Sequence, residues 1–479
     1  MASIKRNYFY STILTGANYV FPLIVFPYVS RVLGVANIGT CNFVDSIVNY
    51  FCIFSMLGIN VVGVREIAEA KQNKEKLNSC FSSIFAINTI LTSTALLVYI
   101  TCSYAIPKLH EHIDLMWIGA IKLCFNYLLV EWLFKGLEEF KFITSRTLII
   151  KTIYVVSVFL FVKKPTDYGL YFFLTSMNIA LNAIVNCLYA RRYISLDCKK
   201  IDFKRYLSPI IILGIYAILT NMYTTFNVAF LGFQTNEIEV GYYSTAYKIF
   251  AISLSIFSAL TGVMLPRMSS LIAENRVEEY RASLNNTTDF LMALSFPAII
   301  FVEFFAPDII LIISGKGYEG AIVPLQIMIP LLFIIGYEQI LVIQGLMPLK
   351  KDNSILMNSI VGAVVSVVCN MVIVPCLKSS GSAIVWMISE LSVLLIAQFF
   401  MKKYMSVSFP IKKVVVNLLY IIPLALLLCL IKLIPFNNVI NMVFAIIMTG
   451  MYVIVLQIYI IKNLLFMQVY TQALKKIRH

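Results

Sequence analysis

Charge is what this chain has least of. Of its 479 residues, 13% are Asp, Glu, Lys or Arg, 60% are hydrophobic, and mean hydropathy is +0.86. No soluble globular protein is that apolar, so the class is integral membrane. Long polar connections are missing too. The longest, near residues 63–78, 191–206 and 267–286, run to roughly twenty residues, short of a folded domain. No G-x-x-x-x-G-K-[ST] phosphate loop occurs. The chain therefore carries no nucleotidase of its own, and unaided uphill transport would draw on an ion gradient. No C-x-x-C pair occurs among the ten cysteines. Several stand inside apolar runs (Cys52, Cys124, Cys369, Cys429), so they read as reduced, buried, small apolar residues. His110 and His112 share a short loop without a further ligand close by in sequence, so no metal site is expected. The net charge of +14 could suit nucleic acid or anionic lipid. Its Lys and Arg lie in short loops between apolar runs, so topology accounts for them and no nucleic-acid partner is expected.

What is present begins with the apolar run from Tyr8 to Gly34, long enough to cross a bilayer at 1.5 Å per residue. The preceding MASIKR resembles a signal peptide, but the run is too long and lacks a cleavage site, so an uncleaved first span is expected. Asn7, Ser11, Thr15 and Asn18 draw one polar stripe along it. Pro22 and Pro27 are expected to kink it. The design returns at Pro209–Gly232, polar through Thr220, Asn221, Thr224 and Asn227. Each copy ends in Leu-Gly, and each is followed by a glycine opening the next helix, Gly39 and Gly241. Polar stripes follow: Asn42, Asp45, Ser46 and Asn49, then Ser244, Lys248, Ser255 and Ser258. This is a weak internal repeat, the construction of many transporters with the cargo site between halves.

About fourteen spans fit the hydropathy. With the N-terminus inside, internal segments hold about 28 Lys and Arg and external ones about seven. The internal set runs from Lys5 and Arg6 through Lys135, Lys141, Arg146, Lys199 and Lys200 to Lys475, Lys476 and Arg478. The alternation predicts an even number of spans and both termini cytoplasmic.

Ionisable groups within spans cost on the order of 3 kcal/mol each, so each asks for a reason. They are Asp45, Lys122, Glu131, Lys248, Glu303, Glu338 and Glu390, with Arg31 and Asp308 nearer the outer face. Lys122, Lys248 and Arg31 would suit an anionic head group such as diphosphate. Snorkelling, or pairing of the lysines with Asp45 and Glu131, would account for them equally. Asp45, on its polar stripe, is the best carboxylate for a coupling proton or sodium ion, with Glu131 beside it. Glu338 and Glu390 are weaker candidates. No other cofactor is expected.

The chain resembles the Wzx-type polysaccharide-repeat flippases, within the larger group that holds multidrug MATE exporters and lipid II flippases. The resemblance is carried by FPYVSRVLGVANIGTCNFVDSIVNYF (26–51), LGINVVGVREIAEAKQNKEKL (57–77), EWLFKGLEEFKFITSRTLIIK (131–151), FVKKPTDYGLYFF (161–173) and VGYYSTAYKIFAISLSIFSALTGVMLPRMS (240–269). It implies an all-α polytopic membrane protein of about fourteen helices. Two pseudo-symmetric six-helix lobes, 1–195 and 205–404, would flank a central cavity, and 411–479 would add two helices and a basic tail. It implies a transporter, not an enzyme, in the bacterial cytoplasmic (inner) membrane. The cargo would be an oligosaccharide on undecaprenyl diphosphate, flipped to the outer leaflet. The implied partners are that lipid-linked oligosaccharide, membrane lipid, a polysaccharide polymerase and a chain-length regulator. Arg31, Asp45 and Lys248 lie within the matching stretches; the role of Lys122 rests on its charge. The rival readings are a MATE-like multidrug antiporter, whose cavity should be acidic, a membrane polymerase or ligase, which should carry a large external loop, and a structural scaffold.

Overall fold

A computed structural model describes residues 2–196, 201–435, 437–463, 466–467 and 470. Lys199, Lys200, Lys475, Lys476 and Arg478 of the internal basic set lie outside the described residues, as does Cys198. So do the side chains of Lys5 and of the stripe residues Asn7 and Thr224.

The described chain is built of helices. In order they are α1 (Ala2–Met56), α2 (Ile59–Ala70), α3 (Lys74–Ala105), α4 (Pro107–His110), α5 (Ile113–Asn126), α6 (Glu131–Gly136), α7 (Phe140–Phe161) and α8 (Tyr168–Ala190). There follow α9 (Phe203–Thr224), α10 (Phe226–Gln234), α11 (Glu237–Ala273), α12 (Val277–Ser314), α13 (Ile322–Met328), α14 (Leu331–Gln339), α15 (Asp352–Met405), α16 (Ile411–Lys432) and α17 (Asn438–Val455). Eleven helical segments among the described residues are long and apolar enough to cross a membrane. Two of these hold two limbs each. The segment containing α1 bends at Gly34 (φ 76°, ψ 168°), and α15 bends at Lys378 (φ 50°, ψ −127°). With both limbs counted and the 37-residue α11 added, the expected fourteen are present. Apolar side chains cover their outer faces, as lipid demands: Leu97, Leu160, Val372, Leu395 and Leu430 are all more than 60% exposed.

Packing divides the chain into two compact units, Met1–Gly241 and Tyr242–His479. In the first, α1 packs on α3, α5 and α7, and α5 packs on α8. The two glycines matched by the repeat meet here. A Cβ on Gly39 would run into the Glu237 carbonyl oxygen and stand 2.9 Å from the Gly241 nitrogen, so the backbones touch where no side chain fits. In the second unit α12 packs on α14, α16 and α17, and α15 folds back along α13 and α14.

Three expectations are corrected. Helix runs through Pro22 and Pro27, and the non-helical residue of α1 is Gly34, where positive φ suits glycine. The connection at 63–78 is not a plain loop. Most of α2 occupies its first half and buries Val62, Gly63 and Ile67, with Gly63 against the Trp132 ring. Nine described cysteines are free thiols, but Cys376 and Cys429 are exposed rather than buried.

Candidate functional site

Three of the first unit's membrane-embedded charges, Asp45, Lys122 and Glu131, fall into two clusters. The first joins α5 to the second limb of α1. Lys122 Nζ donates to Asp45 Oδ1 at 2.7 Å and to Asn49 Oδ1 at 2.7 Å. Asn49 Nδ2 closes the ring by donating to Asp45 Oδ2 at 3.0 Å. Asp45 and Asn49 are four residues apart, so one helix face presents both to the lysine. Gly119, one turn before Lys122, lets α5 approach: a Cβ there would meet Val48 at 2.5 Å and the Tyr99 hydroxyl at 2.8 Å. Lys122 is 8% exposed while Asn49 is open, so the ring is sealed behind the ammonium and accessible on its amide side.

The second cluster sits where a membrane helix is broken. After α5 a short 3-10 turn, Tyr127–Leu129, leads to Val130 in the left-handed region (φ 38°, ψ 32°), an unfavourable place for a β-branched residue. The backbone group freed there is recovered by Asn186, whose Nδ2 donates to the Leu129 carbonyl. Glu131 then opens α6. Its carboxylate accepts from Arg146 Nη2 at 3.1 Å and faces Lys135 Nζ at 3.4 Å. The other arm of Arg146 reaches the Asn182 carbonyl.

The structure thus brings Lys122 to Asp45 and leaves Glu131 with two other cations. Arg31 lies on the exposed side of α1, before the bend, and Lys248 lies half-buried on α11 in the second unit. Arg146 is a correction. Counted among internal loop cations, it is instead buried within α7. A signal for it was present, since Ile143, Arg146, Thr147 and Ile150 fall at helical spacing on one buried face.

In the second unit Glu390 and Glu338 keep different company. Glu390, 3% exposed, accepts from Trp386 Nε1 at 2.9 Å, one turn earlier on α15. Glu338, half-buried on α14, accepts a long contact of 3.5 Å from Asn358 Nδ2. Neither is in an ion pair among the described residues.

Comparison with known proteins fits these features. Residues 4–272 match a family described as "Polysaccharide biosynthesis protein". The chain belongs to this family. Two proteins similar to it are both named "Putative O-antigen transporter". The one from Escherichia coli (strain K12) is 26% identical over 81% of this chain and 94% of its own length. The one from Shigella dysenteriae is 26% identical over 76% and 91%. The fold is that of the lipid II flippase MurJ in an inward closed conformation: TM-score 0.79 at 13% identity, over 98% of this chain and 99% of that one. An inward-facing multidrug MATE transporter of the MOP superfamily is similar at TM-score 0.62 and 13% identity, over 81% and 94%.

Proposed function

We propose that this polysaccharide biosynthesis protein is a flippase that moves lipid-linked oligosaccharide from the inner to the outer leaflet by alternating access. The observation that carries the reading is Lys122, an ammonium held at 8% exposure within a membrane helix of a member of this family. Such a group is costly in a span unless it serves an anion. The names of relatives, an O-antigen transporter and a lipid II flippase, support the same substrate class.

Lys122 has three N–H donors and spends two on Asp45 and Asn49. A diphosphate offers more negative charge than one carboxylate and would take the ammonium from Asp45. Asp45, released, would be open to a coupling H+ or Na+. Arg31 and Lys248 are the further cationic contacts of the diphosphate in this reading, and Glu131 the second coupling carboxylate, to be freed from Arg146 and Lys135. The same reading divides the chain into lobes at 1–195 and 205–404, with 411–479 added. It places the chain in the bacterial inner membrane with both termini cytoplasmic. A polymerase and a chain-length regulator would take up the exported repeat units.

The test replaces the chromosomal gene with Lys122→Ala and Lys248→Ala variants whose membrane insertion is checked. Surface polysaccharide should be lost in each. Normal surface polysaccharide in both would overturn the cationic contacts. A deletion strain that keeps its polysaccharide but gains sensitivity to cationic drugs would transfer the reading to a MATE-like antiporter.

A further inference from the structure

One cation deep in the first unit belongs to neither cluster. Lys151 stands near the middle of α7, about 16 Å along the axis from its first residue and about 15 Å from its last, at 1.5 Å per residue. That is too deep for its stem to carry the ammonium to either interface. A charge at this depth is costly unless it has a partner. Lys122 has Asp45 and Arg146 has Glu131, but Lys151 is in no ion pair among the described residues. Its Nζ donates instead to a neutral amide, Asn18 Oδ1 on α1, at 2.6 Å. It also lies 5.8 Å from the centroid of the Phe21 ring.

Both helices turn this group away from lipid. On α7 the exposed apolar residues Ile149, Ile153, Val156 and Leu160 recur at helical spacing and mark the lipid face. Lys151 lies about 200° around the helix from Ile149, at 3.6 residues per turn, on the side of buried Thr147 and Val158. α1 is open on two sides. Phe9, Val20 and Leu23 expose an apolar one, and Thr15 and Asn18 expose the opposite one. Lipid covers the first. A second open side that presents a hydroxyl and an amide is wet. Half-buried Lys151 reaches the edge of that wet side through Asn18.

The chemistry suits a ligand with one negative charge on a sugar ring. Lys151 has three N–H donors and spends one on Asn18, which keeps its Nδ2 donor unused among the described residues. The two side chains can together hold a carboxylate and a neighbouring hydroxyl. Half-buried Phe21 offers an apolar plane to the C–H face of the ring, the usual mixture of one aromatic wall and a few placed polar groups. A diphosphate carries more charge than this single ammonium balances, and Lys122 is its contact in the reading above.

We propose that Lys151, Asn18 and Phe21 form a site for a sugar carboxylate, and that the oligosaccharide moved by this protein contains a uronic-acid-type residue. The ammonium binds the carboxylate, Asn18 the adjacent hydroxyl, and Phe21 the ring face. The inference rests on the flippase reading for the sugar being cargo, and it names the chemical class of that cargo.

The experiment is saturation-transfer difference NMR on the purified full-length protein in lipid nanodiscs, with methyl β-D-glucuronide as probe and methyl β-D-glucoside as its neutral counterpart. Saturation should pass to the ring protons of the glucuronide and not to those of the glucoside at the same concentration. Lys151→Met keeps the stem and removes a charge from the membrane, so the variant should fold. It should weaken glucuronide binding about tenfold, the loss of one charge-assisted hydrogen bond. Lys151→Arg should restore most of the signal, and Asn18→Ala should lower it by less than Lys151→Met. Inorganic pyrophosphate at the same concentration should leave the signal in place. Equal transfer to both sugars, or a signal unchanged in Lys151→Met, would overturn the site. Displacement by pyrophosphate would overturn it too, assigning the ammonium to the diphosphate. Loss of export in Lys122→Ala without any glucuronide signal would remove the sugar site and leave the flippase reading. A glucuronide signal that depends on Lys151, in a protein whose gene can be deleted without loss of surface polysaccharide, would do the reverse.

Discussion

The two units differ in what holds the carboxylates within their helices. In Met1–Gly241, Asp45 and Glu131 are each held by cations from neighbouring helices, Lys122 for one and Arg146 with Lys135 for the other. In Tyr242–His479, Glu338 and Glu390 are held by an amide and an indole. A cation fixes a carboxylate in its charged form and makes it part of the scaffold or of an anion-exchange site. A neutral donor leaves the protonation state open. The difference is one of partners: cations hold Asp45 and Glu131, and neutral donors hold Glu338 and Glu390.

This contrast can be broken most sharply at Lys122. Lys122→Ala strands Asp45 and should cost about 3 kcal/mol, the low end for a buried pair because Asp45 retains some solvent. Adding Asp45→Ala should recover most of it. Thermal unfolding in detergent reads both; equal losses in single and double variants would remove the pair from the stability argument. Arg146→Met should come next, at about 2 kcal/mol, since Glu131 keeps Lys135. Arg146→Lys should recover only part, because a single ammonium cannot span Glu131 and the Asn182 carbonyl at once.

In the second unit Glu390→Gln should change stability by no more than about 1 kcal/mol in either direction, as the amide oxygen still accepts from Trp386. A loss as large as that of Lys122→Ala would mean that Glu390 is ionised and paired after all. The smallest effect belongs outside the membrane, at the Lys108–Glu237 pair, 2.8 Å apart and flanked by His112. Burial alone would raise the Glu237 carboxyl, but hydrogen bonding from Lys108 holds it below the usual range. A lowered carboxyl stabilises the fold above its unfolded pKa, and that contribution disappears as pH falls through its folded value. Acidification below about pH 4.5 should therefore cost the wild type up to about 1 kcal/mol that Glu237→Gln has already lost. Parallel acid-unfolding curves for the two proteins would remove the pair from the account.

Much of this was legible before any coordinates. Span number followed from hydropathy, because lipid contact demands long apolar runs wherever they occur. The repeat glycines Gly39 and Gly241 were matched by pattern, and they do lie together. The partner of Lys122 was legible only as one option, since pairing and snorkelling leave the same residues in a helix. Arg146 was misplaced because charge counting assigns any cation near a span end to a loop. Glu338 and Glu390 were visible as intramembrane charges and ranked below Asp45 for want of a polar stripe, but nothing in the string showed that neutral donors rather than cations would meet them.

The sequence by itself determined that this is a many-helix membrane protein with ionisable groups at depth. Those properties depend on each segment's own polarity, which composition records. Which charges meet was decided only by the tertiary structure. A salt link spans helices far apart in the chain, 77 residues in the case of Lys122 and Asp45, and its existence depends on side-chain reach across a packed interface. No local pattern encodes that distance.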